Sequence, residues 1–217
     1  MKTLAIIHTT AGTITSLNQL AKQYLKDVNI INLLDDSILP EINRAKAFTE
    51  QVQKRFSNLV ENAISAKADV LLSACSSIGP LLEEADKNLD IPAIRIDEAM
   101  AEQACAYDSI TIMATLESTL GPSTDLIERK AQSHGKSLSI DSLVITEAGK
   151  MLNDGDYDAY KKIIAEEIVK ASETSSCIVL AQASMAAALD LVPEDKKTVP
   201  VLTSPVPGIQ SLEPYFN

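Results

Sequence analysis

The chain has 217 residues, 46% of them apolar and 23% charged, which suffices for one large core or two small ones and excludes a disordered segment. A formal charge of −11 with no basic stripe excludes nucleic acid as a partner, because phosphate binding needs clustered Lys and Arg. Two histidines and three cysteines without metal-type spacing exclude a His-rich metal site, and the odd thiol count places the chain in a reduced, cytoplasmic compartment.

Short β-rich runs alternate with helical patterns from the first residues onward. The N-terminal apolar run is too short for a signal-peptide core or a bilayer span and reads as a buried strand. Strands are predicted at 4–8, 28–32, 70–74, 93–96, 110–114, 139–145, 177–181 and 199–202. Each is short and mostly apolar, as expected when both faces are covered. The spacing predicts one helix over 45–66, with Ala45, Phe48, Val52, Phe56, Leu59, Val60 and Ile64 on a single stripe. A second helix is predicted over 157–172 from Tyr160, Ile163, Ile164, Ile168 and Val169. Strands alternating with helices imply parallel sheets built from right-handed βαβ units.

The chain also repeats itself. Ala5-Ile6-Ile7-His8-Thr9-Thr10-Ala11-Gly12-Thr13 aligns with Thr111-Ile112-Met113-Ala114-Thr115-Leu116-Glu117-Ser118-Thr119. The run from Ala68 through Cys75 to Ser77 aligns with the run from Ser175 through Gln182 to Ser184, and Ile91-Pro92-Ala93-Ile94 with Val199-Pro200-Val201-Leu202. Three matches in one order at a near-constant offset indicate two α/β domains of one architecture, expected as flavodoxin-like sandwiches with a small-molecule site in a cleft between them. The expected division is 1–97 and 98–204, with 205–217 packing back on the first domain.

Ligands of open parallel sheets bind beyond the carboxyl ends of the strands. The loops there carry Thr9, Thr10 and Thr13; Cys75, Ser76 and Ser77; Thr115, Ser118 and Thr119; and Gln182 and Ser184. Hydroxyls and free backbone N–H groups at such places can hold a carboxylate without Arg or Lys, although Ser and Thr there also serve as plain helix N-caps. Cys75 is the sharpest residue. It follows an apolar strand and precedes a helix start, where the positive helix end and nearby N–H groups favour the thiolate. Cys105 and Cys177, on a helix and at a strand start, read as core thiols. His8, at the exit of the first strand, is a further candidate, as a hydrogen-bond donor into the cleft or as a satisfied polar residue. His134 reads as surface, and Glu117 and Glu147 as solvated carboxylates.

Leu-Leu-Ser-Ala-Cys75-Ser-Ser-Ile-Gly, Ala-Thr115-Leu-Glu-Ser-Thr119-Leu-Gly-Pro-Ser123, Val-Leu-Ala-Gln182-Ala-Ser-Met and the closing Pro-Val-Leu-Thr-Ser-Pro together resemble the aspartate/glutamate/hydantoin racemase superfamily over essentially the whole chain. The resemblance implies cofactor-independent proton transfer at carbon beside a carboxylate, with no metal, on a small carboxylic or amino acid, and with a homodimer as the family expectation. In those racemases two cysteines work from opposite faces of the substrate. Cys75 matches the first, but Gln182 stands where the second belongs, and an amide does not titrate near neutral pH. Cys177, five residues earlier at the other end of its strand, is no substitute. The resemblance thus implies an isomerase-superfamily enzyme using Cys75 for proton transfer or addition, with Gln182 polarising or orienting the substrate. A one-cysteine decarboxylase or other lyase is the alternative within the superfamily, and a small-acid binding protein without turnover is the alternative outside it. A redox protein lacks a Cys-x-x-Cys partner, and one glycine in the Thr9–Thr13 loop is too few for a dinucleotide site.

Overall fold

The computed structural model describes residues 1–217 and divides into two units, Met1–Glu98 with Pro205–Asn217, and Ala99–Ser204. The first unit runs β1 (Lys2–His8), α1 (Ile14–Tyr24), β2 (Val28–Leu34), α2 (Ile38–Ala45), α3 (Glu50–Ser65), β3 (Val70–Ser73), α4 (Gly79–Asp86) and β4 (Ala93–Arg95). Its four parallel strands lie in the order β2-β1-β3-β4. The second unit runs α5 (Glu98–Ala104, its first residue at the junction), β5 (Ser109–Ala114), α6 (Glu117–Ser133), β6 (Ser139–Val144), α7 (Thr146–Asn153), α8 (Tyr157–Ala171), β7 (Ile178–Leu180), a long 3-10 segment (Ala183–Leu191) and β8 (Val201–Thr203). Its order, β6-β5-β7-β8, is again parallel and repeats that of the first unit. The closing helices α9 (Pro205–Gln210) and α10 (Glu213–Phe216) belong to the first unit.

Alternation along the central strands supplies two cores to each sheet. In the first unit Ala5, Ile7 and Leu71 face Ile38 and Ile42 of α2, Val52, Phe56 and Val60 of α3, and Leu82 of α4. Leu4, Ile6, Val70 and Leu72 face Leu17 and Ala21 of α1 together with Ile209, Leu212 and Phe216. In the second unit Met113, Ile178 and Leu180 meet Tyr160, Ile164 and Ile168 of α8, and Ile110, Ile112 and Val179 meet α5 and α6. The outer strands β2 and β6 are less covered than the pattern of continuous apolar strands predicts, since they lie at sheet edges and carry Asn29, Asn32, Asp141 and Ser142.

The expected helix over 45–66 is interrupted. α2 ends at Ala45, Lys46 takes a left-handed conformation (φ 56°), and α3 starts afresh at Glu50. The cause is local: the Thr49 hydroxyl accepts from Val52 N at 3.2 Å, an N-cap that replaces continued helix. The same hydroxyl donates to Glu41 Oε1 at 2.5 Å, and Glu41 also pairs with Arg55, tying the two helices together. No helix is long and apolar enough to cross a membrane.

Candidate active site

In the first unit, β1 and β3 are neighbours and both stop at the same edge. Ala74, just past β3, still donates to Ile7 O at 2.9 Å, so Cys75 is the first residue to leave the sheet. Its backbone is extended (φ −132°, ψ 117°) and it precedes a single 3-10 turn, Ser76–Ile78, before α4 begins at Gly79. Ser73 Oγ and Ile78 N both donate to its carbonyl, each at 3.3 Å, which fixes the turn. Ser76 and Ser77 are buried and Cys75 is half-buried.

The thiol is subject to opposed influences. Burial is the largest and pushes its pKa up; the Thr9 hydroxyl, the N–H groups of Ser77 and Ile78 and the Ser77 hydroxyl pull it down, and the net direction is upward. Cys75 therefore rests as a thiol, the reverse of the thiolate expected from its place before a helix, because desolvation outweighs the donors. Thr9 is 3% exposed, and its Oγ1 has no partner at ordinary hydrogen-bond geometry.

His8 is fully buried with both ring nitrogens engaged, Nδ1 with Thr13 Oγ1 and Nε2 with Asn32 Oδ1, each at 2.9 Å. The amide oxygen only accepts, so Nε2 carries the proton and Nδ1 accepts from Thr13. Burial lowers the His8 pKa, the Asn32 bond opposing it, and the neutral ring holds the β1 exit together. Thr10 is exposed and caps a short 3-10 turn by accepting from Gly12 N at 3.4 Å.

The second unit repeats the geometry with different chemistry. Ala181 donates to Met113 O at 2.9 Å, and Gln182 (φ −117°, ψ 133°) precedes the 3-10 segment Ala183–Leu191, matching Ala74 and Cys75 in strand position and backbone. Its Oε1 accepts from Thr115 N at 2.5 Å and from Thr115 Oγ1 at 2.9 Å. Thr115 is 2% exposed, so both its donors are committed within the protein. Ser118 and the buried Thr119 lie on the first turn of α6; one turn on, Ser123 Oγ is buried without a partner. The half-buried Ser184 shares its hydroxyl with Tyr160 at 2.8 Å, whose own phenol is pushed up to about 12 by burial.

The remaining candidates sit elsewhere. Cys177 is buried just before β7, and burial pushes it up to about 11; Cys105 is buried just past α5. His134 caps the end of α6 and pairs with Glu102, while Glu117 and Glu147 are exposed. No three His, Cys, Asp or Glu side chains converge as metal ligands.

Arg95 is a feature of the first unit that hydrophobic periodicity does not reveal. It is 3% exposed at the end of β4 and donates Nε and Nη2 to Asp97 at 2.9 and 2.8 Å and Nη1 to Glu83 at 2.7 Å. A Cβ on Gly79 would stand 2.2 Å from its Cζ, so α4 starts directly against the guanidinium. An Arg two residues before an Asp at an apolar strand end is the one local signal of this pair.

The structure thus defines a duplicated parallel α/β protein whose two units carry different side chains, a thiol and an amide, at one topological position. The family model described as Asp/Glu/Hydantoin racemase matches residues 4–212, and the chain belongs to that family of isomerase-type enzymes. Its fold is similar to that of glutamate racemase from Bacillus anthracis (TM-score 0.75, 16% identity, 97% of this chain and 80% of that one). It is also similar to the Picrophilus torridus aspartate racemase (0.70, 12%, 94% and 90%) and to allantoin racemase from Klebsiella pneumoniae (0.68, 16%, 99% and 87%). No curated protein matches in sequence.

Proposed function

We propose that this chain is a cofactor-independent enzyme of the racemase type in which Cys75 alone moves protons at, or adds to, the carbon beside the carboxylate of a small acid. The observation that carries this reading is the inequality of two matched positions: Cys75 titrates, while Gln182, at the same place in the second unit, does not. Thr9, Ser76 and Ser77 beside the thiol supply hydroxyl and backbone donors for the substrate's oxygens.

In the isomerase form the Cys75 thiol first passes its proton to water; the thiolate sulfur then takes the proton from carbon, the C–H electron pair passes into an enolate, and water returns a proton to carbon on the opposite face, leaving the thiol restored. A second form is favoured by the upward displacement of the Cys75 pKa, which makes the resting group an acid. There a carboxyl group leaves as carbon dioxide, its bonding pair stays on carbon as an enolate, and the Cys75 proton quenches that carbanion. Water then reprotonates the sulfur.

Proton NMR in D2O on amino, hydroxy, malonic and unsaturated acids tests both forms, with wild type and Cys75→Ser side by side. Deuterium entry at the α-carbon, or loss of a carboxyl group, is expected with wild type only. Equal ligand-induced stabilisation of both proteins with no exchange on any acid would leave a binding protein instead.

A further inference from the structure

Gln182 differs from a generic amide because both donors of one residue hold its oxygen. Thr115 N–H can only donate, so the side-chain atom facing it at 2.5 Å must be the carbonyl oxygen, and the amide cannot be turned over without setting N–H against N–H. The Thr115 hydroxyl adds a second donor at 2.9 Å. With Oε1 saturated, the NH2 group is the part of Gln182 left for anything else; it makes no hydrogen bond inside the protein and is not sealed from solvent.

Thr115 is itself held. α7 passes so close that a Cβ on Gly149 would lie 2.6 Å from the Thr115 carbonyl oxygen, and Ile145 N donates to Ala114 O at 2.7 Å immediately beside it. A backbone clamp, a buried threonine and an oriented amide thus form one chain of positions within the second unit.

We infer that Thr115 is a positioning residue that locks Gln182 as a donor-only group, so that this loop selects a carboxylate or carbonyl oxygen of the ligand and rejects an ammonium group. The Thr115 donors do not touch the ligand; they are relayed as the two N–H bonds of Gln182. This rests on the proposed function in taking a small acid as the ligand, and adds that the group met by Gln182 is an oxygen acceptor.

The test uses the full-length chain with 15N-labelled glutamine, the Gln182 side-chain signal being assigned by its loss in Gln182→Leu. The probes are malonate and glycine, which differ by an oxygen acceptor against an ammonium on the same carbon. Malonate is expected to shift the Gln182 amide protons and glycine to leave them in place. Thr115→Val, which keeps the N–H but removes the hydroxyl, should weaken malonate binding about tenfold, and Thr115→Ser should restore it. Gln182→Glu keeps an oxygen for Thr115 but turns a second oxygen outward, and should weaken malonate by more than tenfold while circular dichroism stays unchanged. Equal responses to the two probes, no response to malonate, or unaltered malonate affinity in Gln182→Glu would overturn the inference. Cys75→Ser should still show the malonate shift, so loss of exchange chemistry in that variant reports on the proposed function separately.

Discussion

At Cys75 and His8, burial and hydrogen bonding act in opposite senses, and the balance sets what each side chain can do. For Cys75 the net upward displacement predicts that iodoacetamide alkylation rises with pH through a midpoint above that of a free cysteine thiol. Removing the Thr9 donor with Thr9→Val raises the thiol further, so alkylation near neutral pH should slow about three- to tenfold, as followed by mass spectrometry. His8 gives a stability prediction of definite sign. Its pKa falls below 6.5 on folding because burial penalises the imidazolium. The unfolded chain therefore binds the proton first as pH drops, so the stabilising contribution is complete above about 6.5 and is lost between there and the lower folded value. Urea midpoints measured downward from about pH 7 should fall more steeply for wild type than for His8→Gln, which has no imidazole to protonate.

Between elements, the polar stitches of the first unit are as specific as its apolar faces. Arg95 is buried with Asp97, which is 1% exposed, and joins the end of β4 to α4 through Glu83. Two carboxylates overcome the desolvation of the guanidinium and keep it charged. Arg95→Met strands the Asp97 carboxylate and should cost about 3–5 kcal/mol in urea unfolding, most of which the double change with Asp97→Leu should recover. Since Gly79 lies against that guanidinium, the start of α4 and the turn after Cys75 should shift in the single variant as well. At the other side of the sheet, Gly208 brings α9 against β4's exit, where a Cβ would stand 2.3 Å from the Ile96 carbonyl oxygen.

Over the whole molecule, the C-terminal stretch returns to the first unit and completes one face of its sheet through Ile209, Leu212 and Phe216. Deleting 205–217 removes about 5–9 kcal/mol of apolar burial at about 1.5–3 kcal/mol for each of these side chains, comparable to the total stability of a typical domain. Hydrogen exchange should then show β1 and β3 losing protection while β5 and β7, which pack in separate clusters, keep theirs. Much of this architecture is legible in the chain. Eight strands, parallel α/β order and the internal repeat follow from local periodicity and turn residues, because which faces of a strand or helix are apolar is written within a few neighbouring residues. Cys75, Thr9, Thr115 and Gln182 stand out as post-strand residues for the same reason. The fate of their donors is decided only in three dimensions: Thr115 and Gln182 are 67 residues apart, His8 and Asn32 are 24, and Ser184 and Tyr160 are 24. Sequence by itself determined the fold class, the duplication and which polar residues follow the strands. Tertiary structure alone decided which hydroxyls, amides and ring nitrogens are already satisfied, because a hydrogen bond depends on the meeting of groups whose separation along the chain carries no periodic signal.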